Sequence, residues 1–324
     1  MHVIYGCTHG VQEEHTIVYL FLCAWGKIAR THSGGKMSLQ CIIIPAVDSA
    51  DNVSATASLF QREYASQLGH TGIDGALLIL AAFSAYFLVG VRVCTKILAW
   101  RIPQVFNSLD DEKKRATSFQ ITQGISEFAL LPVATAVMLK RFIAPNGPLD
   151  AFDVQGERVI GVYILVMYLV ELAYRQAVSI PVMVHHTFAI LNVGLVAGIY
   201  QIWSRTYNNY LCLLGWFTCY NFPQYAAVIG YRLYPRHPLT YRIIQAITVH
   251  EWFTKTVLQG VAIAIFASGF VSGDYANLSP WRYAIAIATF ILLIPSQYYG
   301  AYVLTILWRK LLLKRRHPLQ EPVK

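Results

Sequence analysis

The sequence predicts an all-α, polytopic transmembrane bundle of about seven spans. Three observations carry that expectation. Of 324 residues, 56% are hydrophobic and only 13% charged, the mean hydropathy is +0.45, and apolar stretches approaching the ~20 residues of a spanning helix recur along the chain. A soluble domain of this size carries more charge on its surface.

The spans fall at about 75–100, 119–139, 159–178, 181–200, 210–231, 243–270 and 282–308. Span one is closed by Arg101, and Pro103 follows that charged end. Span two enters with Gln120, Gln123, Ser126 and Glu127. Span three ends near Ser179, and Pro181 suits the first turn of span four, so the two form an antiparallel hairpin. Span five carries Asn221, Pro223, Gln224 and Tyr225; span six opens with Gln245, His250, Glu251 and Lys255; span seven contains Pro295, Ser296, Gln297 and Tyr298. The last two spans exceed the hydrocarbon thickness and predict tilt or a kink, and Pro223 and Pro295 free backbone carbonyls for a cavity.

Lys and Arg counted loop by loop give fourteen on the side that holds the C-terminus and five on the other. The positive-inside rule then puts the C-terminus in the cytosol and the N-terminal tail in the lumen. The sequons at Asn52 and Asn277 both fall on the lumenal side. Residues 1–70 predict a loosely ordered tail: the run 17–25 is too short to span and has no basic flank, and Met37 is an alternative start. Residues 75–315 are the membrane domain and 316–324 a basic cytosolic tail. The net charge of +9 sits beside the membrane stretches, which fits lipid headgroups and predicts no nucleic-acid partner. Cysteines at 7, 23, 41, 94, 212 and 219 have no metal-ligand spacing, so neither a metal nor a disulfide framework is expected.

Ionisable residues inside apolar spans mark candidate sites, because hydrocarbon tolerates them only when they face a bundle interior or a wet cavity. Glu171 and Arg175 lie four apart on span three and can pair. His185 and His186 begin span four at a comparable depth. The histidines are the candidate catalytic pair; Glu171, Arg175, Gln224, His250, Glu251 and Tyr298 are the candidate substrate-binding residues. All belong to the cytosolic half. Two simpler readings compete: an ion pair that only fixes the hairpin, and a Glu251–Lys255 pair exposed at the interface.

The stretch Tyr168–Arg175 (YLVELAYR), then Val184-His185-His186-Thr187, then a Pro-interrupted span ending Tyr231-Arg232-Leu233, resembles the TLC-domain membrane proteins, a family that includes the ceramide synthases and the translocating-chain-associated proteins. The resemblance implies a lipid-handling bundle in the endoplasmic reticulum with the paired histidines in its site. It also implies membrane lipids, sphingolipids among them, as partners and, for an N-acyltransferase-like enzyme, acyl-CoA as co-substrate with no other cofactor. A histidine can take the proton from an attacking amine near neutral pH. The chain departs from the synthases in having no Asp between His186 and Asp274, which leaves a non-catalytic regulator of membrane lipid composition open. Pro103-Gln104 and Pro223-Gln224 resemble the paired motifs of PQ-loop small-solute transporters, the alternative reading. Receptor signatures are absent: no Asp-Arg-Tyr follows span three and no Asn-Pro-x-x-Tyr lies in span seven.

Overall fold

The computed structural model describes residues 72–144, 147–175, 178–197, 204–235, 237–275 and 280–316. The expected N-terminal tail, the 17–25 run, Met37, both sequons and the end of the basic tail lie outside the described residues. What is described is all-helical and belongs to one compact unit. In order it comprises α1 (Gly72–Arg101), the short α2 (Pro103–Asn107), α3 (Asp111–Ile143), α4 (Ala151–Tyr174), and α5 (Ile180–Ala189), which runs into a π-helical segment (Ile190–Ala197). There follow α6 (Arg205–Cys219), α7 (Phe222–Leu233), α8 (Pro238–Val271) and α9 (Pro280–Arg316).

Local chemistry accounts for the helix starts. The Asp110 side chain accepts from the Lys113 backbone N–H at the head of α3. Asp150 and Asp153 close a reciprocal capping box at the head of α4. The hydroxyl of Ser204 caps α6 through Tyr207 N–H. Pro181, Pro223 and Pro238 sit in the first turns of α5, α7 and α8, where a missing N–H costs nothing. The Lys140 ammonium beside Asp150 holds that carboxyl below the usual carboxylate range.

Helix α4 is the centre of the bundle. An ordinary surface helix buries one stripe, but α4 buries consecutive residues all round its circumference from Ile160 to Tyr168. It is enclosed by α1, α3, α5 with its π-helical extension, and α6. The outer helices are inverted relative to a soluble protein. Helix α1 exposes Leu77, Leu78, Leu88, Val89 and Ile97, and α8 exposes Val249, Phe253 and Val257. Contiguous apolar surface of this kind suits hydrocarbon contact. Among the described residues four helices are long and apolar enough to cross a membrane: Gly75–Arg101, Asp111–Ile143, Pro238–Val271 and Ala286–Leu313. The chain thus has the make-up of an integral membrane protein.

Two of the expected spans are not single α-helices. The stretch 210–231 breaks between Cys219 and Phe222, because Pro223 cannot extend α6 and instead opens α7. The stretch from 181 onward changes from α to π geometry at Ile190, a local change that recurs at functional sites. Pro295, by contrast, sits within a continuous α9.

Gly156 of α4 packs directly against α3. A Cβ built there would lie 2.7 Å from Cγ2 of Val137, a side chain 1% exposed. Gly156→Ala is therefore expected to destabilise the protein by about 1–3 kcal/mol, measured by denaturation in detergent, and Gly156→Ala combined with Val137→Ala should recover part of the loss.

Candidate functional site

The turn between α4 and α5 brings the expected hairpin residues into one bonded chain. Arg175 caps α4 at its C-terminus, one turn after Glu171. Its Nη1 donates to Glu171 Oε1 at 2.9 Å and its Nε donates to Glu112 Oε1, at the start of α3, at 3.2 Å. The second oxygen of Glu171 meets His186 Nε2 at 2.9 Å. Glu112, Arg175, Glu171 and His186 therefore form a relay of alternating charge ending on an imidazole.

The hydrogen-bond network makes the two histidines chemically different. A carboxylate only accepts, so His186 Nε2 carries a hydrogen and Nδ1 is the nitrogen remote from Glu171. That Nδ1 is buried and has no hydrogen-bond partner. His185 is satisfied at both nitrogens. Ser296 donates its hydroxyl hydrogen to the Leu293 carbonyl at 2.7 Å, so it accepts from His185 Nδ1 at 2.9 Å. The other nitrogen, Nε2, then accepts from the Tyr168 hydroxyl at 3.2 Å. Tyr168 also stacks on the His186 ring, centroid to centroid 4.1 Å and 20° from parallel. One aromatic side chain thereby orients both imidazoles.

Gln224 and Glu251 belong to a second cluster. Lys255 donates from Nζ to Glu251 Oε2 at 3.0 Å and to Gln224 Oε1 at 3.1 Å. The sequence allowed this ion pair to be exposed; both side chains are 3% exposed. The reason is that α8 turns their face toward α7 and α9, where Gly300 leaves room for the Gln224 amide: any Cβ at that position would overlap it. Gly300 lies one helical turn beyond Ser296, so α9 carries both polar clusters along one face. His250 takes no part in either cluster. It is exposed on the far side of α8, bonded to the Tyr220 hydroxyl at 2.6 Å. Tyr298 lines a groove of about 420 Å³ with Ile180, Pro181, Val184, Trp252 and Ser296. The groove is nearly all apolar; its wall includes the serine that holds His185.

Several contributors were not singled out as site residues. Glu112 lies in the first turn of α3, and Tyr168 begins the stretch that runs to Arg175. Gln123, whose Nε2 lies 2.6 Å from the Tyr225 hydroxyl and 3.0 Å from Glu127 Oε1, belongs to a third buried group. Glu127 is fully buried, and its Oε2 has no partner.

Buried polar residues also occur at the opposite end of α4, away from the expected site residues. Glu157, near the start of α4, receives Arg141 Nη2 at 2.7 Å and Asn208 Nδ2 at 3.1 Å on each oxygen, with all three residues buried. It lies fourteen residues, or ~21 Å along the axis, from Glu171. The short α3–α4 connection explains why Arg141 reaches this opposite network. Among the described residues no group of three or more His, Cys, Asp or Glu is placed to hold a metal.

Removing Arg175 would leave Glu171 with only His186 and Glu112 without its guanidinium. Because Arg175 is one-fifth exposed, Arg175→Gln should cost about 3 kcal/mol, the lower end for breaking a buried pair. The check is the melting temperature of the purified protein, and an unchanged value would show that solvent already satisfies Glu171. No protein-family model, curated protein or solved structure matches the chain.

Proposed function

We propose that the chain is a seven-span, TLC-type membrane protein that acts on lipids, with His186 as the general base for transfer of an acyl group to a lipid amine. The crossings on this reading are α1, α3, α4, α5 with its π-helical extension, the broken pair α6–α7, α8 and α9. The N-terminus is lumenal and the C-terminus cytosolic, in the endoplasmic reticulum, as the asymmetry of Lys and Arg favours.

The observation that carries the reading is the bare Nδ1 of His186, with Nε2 held by Glu171. A carboxylate behind one imidazole nitrogen fixes the tautomer that leaves the other nitrogen basic and stabilises the imidazolium formed on protonation. In the reaction, a lipid amine attacks the carbonyl carbon of an acyl thioester. His186 Nδ1 takes the amine proton, the carbon–sulfur bond breaks and the thiol leaves with a proton. Acyl-CoA is the co-substrate, and the chemistry requires no other cofactor. The apolar groove beside Ser296 offers hydrocarbon a place next to the site.

A second reading, the regulator of lipid composition, draws on the saturation of His185 and the sharing of Arg175 between two carboxylates, both of which suit a purely structural network. The transporter alternative gains nothing comparable, since Pro103 opens a five-residue helix and Pro223 a much longer one. They do not interrupt two equivalent spans.

Acyl transfer from labelled acyl-CoA to long-chain amines, assayed in membranes with abundance measured in parallel, separates the two. His186→Gln should lower the rate by roughly 10²- to 10⁴-fold. His185→Gln should cost far less, because its ring accepts and donates without a spare lone pair. Full activity in His186→Gln, or no transfer by the wild type alongside an altered lipid profile on deletion, leaves the regulator.

A further inference from the structure

Arg232 stands in the last turn of α7 and is only half-buried. Its Nη1 donates to Gln120 Oε1 at 2.8 Å and to Thr117 Oγ1 at 3.3 Å, two neutral acceptors three residues apart on α3. No carboxylate is bonded to it among the described residues. The charges that act on it are those of Arg175, then Glu112, Asp110 and Glu171. Each of those acids is already bonded to another group: Asp110 to Lys113, Glu112 and Glu171 to Arg175, and Glu171 also to His186.

The geometry points to a phosphate-binding site at the Arg232 guanidinium. A guanidinium has five N–H donors in a rigid fork. The two on Nη1 are spent on α3, which fixes the plane and leaves the edge formed by Nε and Nη2 without a bond to any described residue. That edge presents two parallel donors with the spacing of two oxygens of one phosphate or carboxylate. Among such anions, phosphate esters are the ones that meet a membrane surface from both sides, as lipid headgroups and as soluble esters. Arg175 adds a second positive charge beside the fork, yet its own donors are committed to Glu112 and Glu171. Binding at Arg232 would therefore place an anionic headgroup or leaving-group tail at the mouth of the relay that ends on His186, without dismantling it. The link to His186 rests on the acyl-transfer reading; the phosphate site itself does not.

A purely structural Arg232 would also tie α7 to α3, so the test must read binding as well as folding. The full-length protein is placed in nanodiscs of phosphatidylcholine and titrated with inorganic pyrophosphate, and separately in discs doped with phosphatidic acid, whose enrichment around the protein is measured by mass spectrometry. Arg232→Gln keeps a hydrogen bond to α3 but loses the charge. Arg232→Lys keeps the charge and a single-point contact but loses the fork. Pyrophosphate binding weakened about ten- to a hundredfold by Arg232→Gln, and less by Arg232→Lys, supports the site with a soluble ester as its source. Loss of phosphatidic acid enrichment in Arg232→Gln, without pyrophosphate binding, supports it with a lipid headgroup. Equal behaviour of wild type and both variants in both arms overturns it, as does an Arg232→Gln defect that appears only with a lowered melting temperature and is fully restored by Arg232→Lys. Pyrophosphate binding that survives in His186→Gln while acyl transfer is lost, or was never present, keeps this inference distinct from the reaction assigned above.

Discussion

Burying a carboxylate in an apolar bundle is costly, and Glu171 offsets that cost by dividing its two oxygens between Arg175 and His186. Much of the local architecture follows. Arg175 must end α4 one turn after Glu171 for its guanidinium to fold back, and the chain must reverse at once for His186 to reach the other oxygen. Pro181 supports this from the first turn of α5, which starts directly after Ser179, with the histidines one turn further in. The far side of Arg175 then draws in Glu112 and so anchors the first turn of α3. One shared carboxylate thereby connects three helices.

The same constraint explains why the two histidines, adjacent in sequence, end in unlike states. Neighbouring side chains on a helix diverge by about 100°. His186 turns inward onto Glu171, beneath the Tyr168 ring, while His185 turns toward α9 and Ser296. A buried imidazole with both nitrogens bonded is a spacer that locks two helices together. His186 instead has a carboxylate on one nitrogen and no hydrogen-bond partner on the other, and a buried polar atom without a partner is costly in a low-dielectric setting.

Composition and hydropathy made the helical class and the long outer helices legible, because α1, α3, α8 and α9 are each long and apolar enough to cross a membrane. The hairpin was legible too: Glu171, Arg175 and His186 are close in sequence, so helical spacing and one proline were enough. What escaped depended on distance in the chain. Glu112 lies 63 residues from Arg175 and Ser296 lies 111 from His185, and no local pattern joins them. His250 and Glu251 share the opening of span six and its depth, but a helix sends neighbours to different faces, so one is exposed and the other buried. The break before Phe222 was marked by Pro223, but a proline can kink a span or end it, and only the packing of α7 against α3 and α8 decides which.

The opposite network around Glu157 sharpens the case for the hairpin end. Both ends of α4 bury a glutamate, and both pair it with an arginine from a neighbouring turn. At Glu157, Oε1 receives Arg141, Asn208 and Cys212, and Oε2 receives Asn208. At Glu171 the corresponding place is taken by a histidine whose second nitrogen is left over. The contrast within a single helix is between a glutamate whose charge is met by an arginine, an amide and a thiol and one whose charge is met by an arginine and an imidazole.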